Sequence, residues 1–151
     1  MSTVEDRLNE LGHPLPAPRP AAGNYRGYVQ VGDLLFLSGQ GADGHTGRIG
    51  ETATVEDGIN ASRASMLNLL AQVKAALGSL DRVAKIVNVH GFVNAVPEFA
   101  EHPKVVDGGS TLLVEAFGEE IGTHSRTAAG AGSLPKGFVV ELEMIVQVAP
   151  E

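Results

Sequence analysis

The chain has 151 residues and a mass of 15.7 kDa, and its 43% hydrophobic and 19% charged residues are typical of one globular domain rather than a disordered or fibrous chain. The absence of cysteine excludes disulfides, thiolate catalysis and cysteine-bound zinc. Eleven Lys and Arg against eighteen Asp and Glu give a net charge of −7, so we expect the protein not to bind nucleic acid.

Residues 1–24 are predicted to form an N-terminal helix and a proline-rich arm attached to one domain over residues 25–151. A face of apolar residues predicts a short helix over residues 3–11, and alternating prolines over residues 13–20 favour an extended arm. The sequence contains neither a signal-peptide pattern nor an apolar run long enough for a bilayer. We therefore expect a cytoplasmic protein that does not bind membranes.

The rest of the sequence predicts an α+β domain with the element order ββαβαββ. Apolar patterns indicate strands over 25–31, 34–38, 84–94, 123–132 and 137–149, and helices over 55–77 and 103–117. In the last strand one face is apolar throughout, while the other carries Glu141 and Glu143. We expect the apolar face to pack on both helices, which predicts a mixed sheet with two helices on one side.

Two patterns resemble known ligand sites but lack their context. Residues Gly39–Gly44 fit the dinucleotide-binding pattern G-x-G-x-x-G, but the helix that this pattern requires begins only near Val55. A glycine loop is therefore the favoured interpretation. The five histidines show none of the spacings that put two metal ligands on one element, so we expect no metal site.

Arg126 is followed by a run of small residues, Thr127 to Gly132, which leaves open space around its guanidinium. Such a group suits a bidentate bond to the carboxylate of a small ligand. An ion pair with Glu141, Glu143 or another carboxylate of the chain is an equally good interpretation. If the last two strands pair across the turn at 134–136, Arg126 and Glu141 lie on neighbouring strands.

Several short motifs together resemble the RidA/YjgF family, also called endoribonuclease L-PSP. They are Tyr25 with Leu37-Ser38-Gly39-Gln40, then His124-Ser125-Arg126-Thr127, Leu134-Pro135 and Val140-Glu141-Leu142-Glu143. The resemblance implies a chorismate-mutase-like fold, a homotrimer with clefts between subunits, and a branch with an N-terminal extension. It also implies hydrolysis of enamine or imine intermediates, such as 2-aminoacrylate, to 2-keto acids and ammonia without a metal or organic cofactor.

The resemblance further implies roles for individual residues. Arg126 would clamp the carboxylate of a small substrate, and Glu141 would activate the attacking water. The expected substrate-binding residues are Tyr25, Ser38, Gly39, Phe92, His124 and Ala128, the last through its backbone. Imine hydrolysis needs a held carboxylate, a positioned water and a proton transfer, so one arginine and one carboxylate suffice.

The leading hypothesis is a deaminase of 2-iminobutanoate or 2-iminopropanoate type, and three other functions are considered beside it. A non-catalytic module that binds small carboxylates has the same pocket without turnover. A deaminase of a larger, aminomuconate-type substrate is also compatible, because the segment 99–120 does not match the best-known family members. A ribonuclease is disfavoured by the negative charge and by the small number of aromatic residues available for base stacking.

Overall fold

The computed structural model describes residues 2–151. In chain order its elements are α1 (Val4–Glu10), β1 (Tyr28–Val31), β2 (Leu34–Gln40), α2 (Val55–Leu77), β3 (Val83–Asn94), α3 (His102–Phe117), α4 (Glu119–Gly122), β4 (Ser125–Ala131) and β5 (Val140–Val148). Short 3-10 turns at Leu80–Arg82 and Pro135–Gly137 precede β3 and β5. The order ββαβαββ after an N-terminal helix is confirmed, with α4 as a short addition. Within the described residues, no helix is long and apolar enough to cross a membrane.

The five strands form one mixed sheet in the order β1-β2-β5-β3-β4. Neighbouring strands are antiparallel except β3 and β4, which are parallel. β3, α3 and β4 form a crossover unit, so β4 runs in the same direction as β3 and pairs with one of its edges. β5 pairs with the other edge. The last two strands do not pair, since β3 separates β4 from β5, and Arg126 and Glu141 therefore do not lie on neighbouring strands.

α2 and α3 pack side by side on one face of the sheet, as expected for an α+β layer fold. The Thr54 hydroxyl accepts from the Asp57 amide and the Asp57 carboxylate accepts from the Thr54 amide, which fixes the start of α2. Gly78, with a φ of 85°, ends it. The two helices are in close contact at Gly108, where an added Cβ would lie 2.2 Å from the carbonyl oxygen of Ile59.

The two faces of the sheet differ in what covers them. The side chains of β5 that point toward the helices are buried, and we call this side the helix face. They are Val140, Leu142, Met144, Val146 and Val148. Within residues 2–151 the helices leave the opposite side, the open face, uncovered. It exposes Val29, Phe36 and Val31, which have 50%, 41% and 64% of their surface accessible.

The N-terminal segment shares the core of the rest of the chain. Val4 and Leu8 of α1 are buried in the same cluster of apolar residues as the sheet and α2. The arm that follows α1 reaches α2, where the Gln72 side chain donates to the carbonyl oxygen of Arg19 over 2.7 Å. β1 begins at Tyr28 rather than at the predicted Tyr25, so Tyr25 lies in the segment between the arm and the sheet.

Candidate active site

A cleft of about 270 Å³ lies where β2 ends and β5 begins. It brings together three of the residues predicted from sequence, namely Tyr25, Gly39 and Glu141. The other residues that line it are Arg19, Pro20, Ala22, Gln40, Gly41, Pro135, Lys136 and Phe138. The cleft therefore joins the N-terminal arm, the glycine-rich end of β2 and the only ionisable carboxyl among its lining residues.

Glu141 is half-buried on the open face of β5. Burial raises the pKa of its carboxyl above the ordinary value of 4.5, and the neighbouring Glu143 carboxylate raises it further. Gly39 provides the space for this carboxyl, because an added Cβ would lie 2.8 Å from Glu141 Oε1. A carboxyl with a raised pKa beside an open cleft can exchange a proton with a bound water or ligand.

The N-terminal arm brings a cation to the same cleft. Arg19 Nη1 donates to the carbonyl oxygen of Gly41 over 3.1 Å, and Nη2 pairs with Asp43 over 3.3 Å. The guanidinium carbon lies 5.5 Å from the centre of the Phe138 ring. Sequence reasoning missed Arg19, because the docking position of a proline-rich arm depends on tertiary contacts rather than on local spacing.

A second group of polar residues surrounds Arg126 on the helix face. Arg126 Nη1 donates to Asp107 Oδ1 over 2.7 Å and to Ser110 Oγ over 3.2 Å, and Nη2 donates to the carbonyl oxygen of Pro103 over 3.3 Å. The Arg126 side chain is 21% exposed, and its Asp107 partner is 60% exposed. The guanidinium is thus fixed by one face of α3, and its intramolecular carboxylate partner is Asp107.

His124 adjoins this group, immediately before β4. Its Nδ1 lies 2.6 Å from the carbonyl oxygen of Gly122, and its Nε2 lies 2.9 Å from Ser110 Oγ. Burial lowers the pKa of the imidazole; the bond to Gly122 opposes this effect, and the cations of Arg126 and Lys85 add to the lowering. The surroundings of His124 thus favour the neutral imidazole, which makes hydrogen bonds through both ring nitrogens. Among residues 2–151, no three His, Asp or Glu side chains are grouped so that they could hold a metal ion.

The other three predicted substrate-binding residues lie outside both groups. The Ser38 hydroxyl donates to the carbonyl oxygen of Arg26 over 2.6 Å. Phe92 stacks on His90 on the open face, with ring centroids 4.4 Å apart. Ala128 packs against the core on the helix face. Within one chain, Ser38 and Ala128 make local contacts, while Phe92 presents an aromatic ring to the open face.

Arg126 and Glu141 lie on opposite faces of the sheet. Arg126 reaches α3 on the helix face, and its partner in register on β3 is the buried Val89. Glu141 is in register with Phe92 on the open face. One chain therefore does not bring the two side chains that were expected to act together into one pocket.

Asp107 and Ser110 are the residues beside Arg126 that sequence reasoning missed. They are three positions apart on a helix, so their side chains share a face. A polar pair on either side of two glycines in the middle of the helix is a signal that could have identified them. Their partner could not be identified in the same way, because only the β3-α3-β4 crossover brings that face of α3 to Arg126.

A mixed five-stranded sheet with two helices on one face, and a half-buried carboxyl in a cleft at its open face, define an α+β protein of the chorismate-mutase-like class. A family model described as "YjgF/chorismate_mutase-like, putative endoribonuclease" matches residues 5–145. The chain belongs to this family, and the resemblance to RidA/YjgF proteins is confirmed.

Relatives and solved structures show how far this similarity extends. The chain is 41% identical to Protein TCP17 of Trypanosoma cruzi, over 96% of this chain and 94% of that protein. It is 38% identical to the crystal structure of Atu1372 from Agrobacterium tumefaciens, with a TM-score of 0.90 over 98% of this chain and 93% of that one. The crystal structure of E. coli TdcF with bound serine is 27% identical, with a TM-score of 0.60 over 88% and 94% of the two chains. The similarity to Atu1372 therefore includes the N-terminal helix and arm.

Proposed function

We propose that this protein hydrolyses enamine and imine intermediates of 2-aminoacrylate type to 2-keto acids and ammonia. The observation that carries the proposal is Glu141, a half-buried carboxyl held in an open cleft where Gly39 leaves it room. TdcF, a structural neighbour, was crystallised with serine, a small amino acid, which supports a ligand of this size in the family. The residues expected to line the pocket are Tyr25, Ser38, Gly39, Phe92, His124 and Ala128.

The reaction needs one residue that transfers protons and one cation that binds the substrate carboxylate. 2-Aminoacrylate takes up a proton from solvent at its methylene carbon and becomes the protonated form of 2-iminopropanoate. Water then adds to the imine carbon as Glu141 accepts one of its protons, and Glu141 returns this proton to the nitrogen. The C–N bond then breaks and ammonia leaves, while the hydroxyl group of the carbinolamine releases its proton to solvent and becomes the carbonyl of pyruvate. Arg126 holds the substrate carboxylate so that the imine carbon faces the water.

We also propose a homotrimer in which the site is shared between subunits. Arg126 and Glu141 lie on opposite faces of one sheet, so a site that contains both needs a second subunit. β4 is an edge strand, and Arg126 can therefore be presented to Glu141 of a neighbouring subunit. The exposed apolar side chains of the open face support an interface there.

The test is an assay in which a dehydratase generates 2-aminoacrylate in place and release of 2-keto acid is followed. We expect Glu141→Gln to slow turnover by about 100-fold or more, because the amide cannot carry the proton. Arg126→Lys should also lose most activity, since an ammonium lacks the planar fork. Glu115→Gln on the exposed side of α3 is the control. Wild-type rates in both site variants, or no acceleration by the wild-type protein with any of several amino-acid precursors, would contradict the proposal.

A non-catalytic carboxylate-binding trimer is the second candidate, and the serine bound to TdcF is the observation that favours it. It predicts that pyruvate or serine binds in calorimetry and that binding weakens in Arg126→Lys, with no turnover of any imine. A deaminase of a larger, aminomuconate-type substrate predicts turnover only with larger precursors. The same assay therefore separates the three functions.

Ribonuclease activity is named in the description of the family. The net charge of −7 opposes it, because RNA binding relies on cations that neutralise phosphates. We expect the purified protein to show no salt-sensitive binding to single-stranded RNA, and tight salt-sensitive binding would reopen this function.

A further inference from the structure

α3 engages part of the Arg126 guanidinium and leaves part of it free. Arginine has five N–H donors. Both donors of Nη1 are used by Asp107 and Ser110, and one donor of Nη2 is used by the Pro103 carbonyl. Within the described chain, the Nε–H and one Nη2–H make no hydrogen bond, which is the number of donors that a bidentate carboxylate requires. We call the three groups on α3 the α3 clamp.

The neutral form of His124 sets the direction of the hydrogen bonds around Ser110. A carbonyl oxygen can only accept, so His124 Nδ1 must donate to Gly122 over 2.6 Å. In the neutral imidazole Nε2 is then an acceptor, and it receives the Ser110 hydroxyl proton over 2.9 Å. The lone pairs of Ser110 Oγ are thereby left to accept from Arg126 Nη1. His124 thus sets the orientation of the hydroxyl, although its own hydrogen bonds go to Ser110 and Gly122 rather than to the guanidinium.

The α3 clamp stands on a helix that cannot shift easily. The two residues between its side-chain members are Gly108 and Gly109, and both bring α3 against α2. An added Cβ at Gly108 would lie 2.2 Å from the Ile59 carbonyl oxygen, and the Gly109 amide donates to the buried Ser62 hydroxyl over 3.0 Å. Because these contacts fix α3 against α2, they also fix where the clamp holds the guanidinium.

We propose that Asp107 and Ser110 are positioning residues that set Arg126 for a monocarboxylate ligand, with His124 orienting Ser110. The inference rests on the proposed function for its substrate, and it names the residues that orient Arg126 to bind the ligand carboxylate. Asp107 holds one edge of the guanidinium, and the remaining donors face a ligand carboxylate. Without the clamp the arginine keeps its charge but samples other rotamers, so ligand binding weakens while the chemical step is little changed.

The kinetic test compares each clamp variant with a matched variant on the exposed side of the same helix. Asp107→Asn and Ser110→Ala are expected to raise KM about tenfold with kcat within about threefold of wild type. Glu115→Gln and Thr111→Ala are the controls and should leave both constants unchanged. Ser110→Thr keeps the hydroxyl and should restore most of the affinity. An unchanged KM in both clamp variants, or a fall in kcat with unchanged KM, overturns the inference.

A binding measurement separates failure of this inference from failure of the proposed function. Pyruvate, which carries the carboxylate that Arg126 is expected to hold, is titrated into wild type and Asp107→Asn by calorimetry. Weaker binding in Asp107→Asn supports the clamp even if wild type proves to have no turnover. Equal binding by both proteins, or no binding by wild type, overturns it. Thermal unfolding of each variant, measured beside these assays, distinguishes a local loss of binding from loss of the fold.

Discussion

Burial of the Glu141 carboxyl beside Glu143 favours its protonated form in the folded chain. Its folded-state pKa lies above 4.5, so the stability that this proton contributes is fully present below pH 4.5 and is lost as the pH rises through the folded pKa. The proposed reaction needs the ionised form, which is the form that the fold disfavours. At this residue, function and stability are therefore opposed.

The same electrostatics predict the pH dependence of turnover. Activity should rise with pH as Glu141 loses its proton, and this acid limb should lie above pH 4.5. In Glu143→Gln the repelling carboxylate is removed, so the pKa of Glu141 falls and the acid limb of kcat/KM moves to lower pH. The profile of Glu115→Gln should match wild type. An acid limb that stays in place or moves upward in Glu143→Gln would show that Glu141 is not the group being titrated.

At the scale of elements, the contact between α2 and α3 depends on Gly108. An alanine in a helix interior is favoured over glycine by about 1 kcal/mol. At Gly108 this gain is outweighed, because the added methyl would meet the Ile59 carbonyl oxygen at 2.2 Å and backbone atoms cannot move aside cheaply. We expect Gly108→Ala to lower the free energy of unfolding by about 2 kcal/mol, measured by urea denaturation.

Gly132→Ala is the matched control for this substitution. An added Cβ at Gly132 would have no atom within 4 Å, and its φ lies outside the left-handed region. The midpoint of urea denaturation of Gly132→Ala should therefore stay close to that of wild type. If Gly108→Ala were as stable as Gly132→Ala, the close approach of the two helices would not be a determinant of the fold.

Elements with local signals are the part of the fold that the sequence predicts best. α2 is found at its predicted bounds of 55–77, because Thr54 with Asp57 starts it and Gly78 ends it. The order of the strands has no such local signal: β5 and β4 are separated by β3 because of the crossover through α3. The same crossover provides Arg126 with its partner Asp107, and for this reason the cleft around Glu141 could be predicted in part while the α3 clamp could not.

At the scale of the whole molecule, the open face is the feature that one chain leaves unexplained. An antiparallel sheet that faces water on one side usually alternates apolar and polar residues. Here the uncovered side presents Val29, Val31 and Phe36, together with the half-buried Glu141. Only 5% of the residues are aromatic, and one of these few, Phe36, lies on the uncovered surface. In the proposed trimer this face would be buried between subunits, which would explain the exposed apolar residues and add packing to a chain with few aromatic side chains.

A charged side chain in place of Phe36 should therefore both separate the subunits and stop turnover. Phe36→Glu is expected to convert the proposed trimer to monomer in sedimentation velocity at micromolar concentration, because a carboxylate cannot be buried there without a partner. The activity should fall with it, since Arg126 of one subunit then has no Glu141 from a neighbour. Leu11→Glu makes the same change at an exposed leucine at the end of α1 and should keep both assembly and activity. A wild-type monomer, or a monomeric Phe36→Glu with full activity, would contradict a site that is shared between subunits.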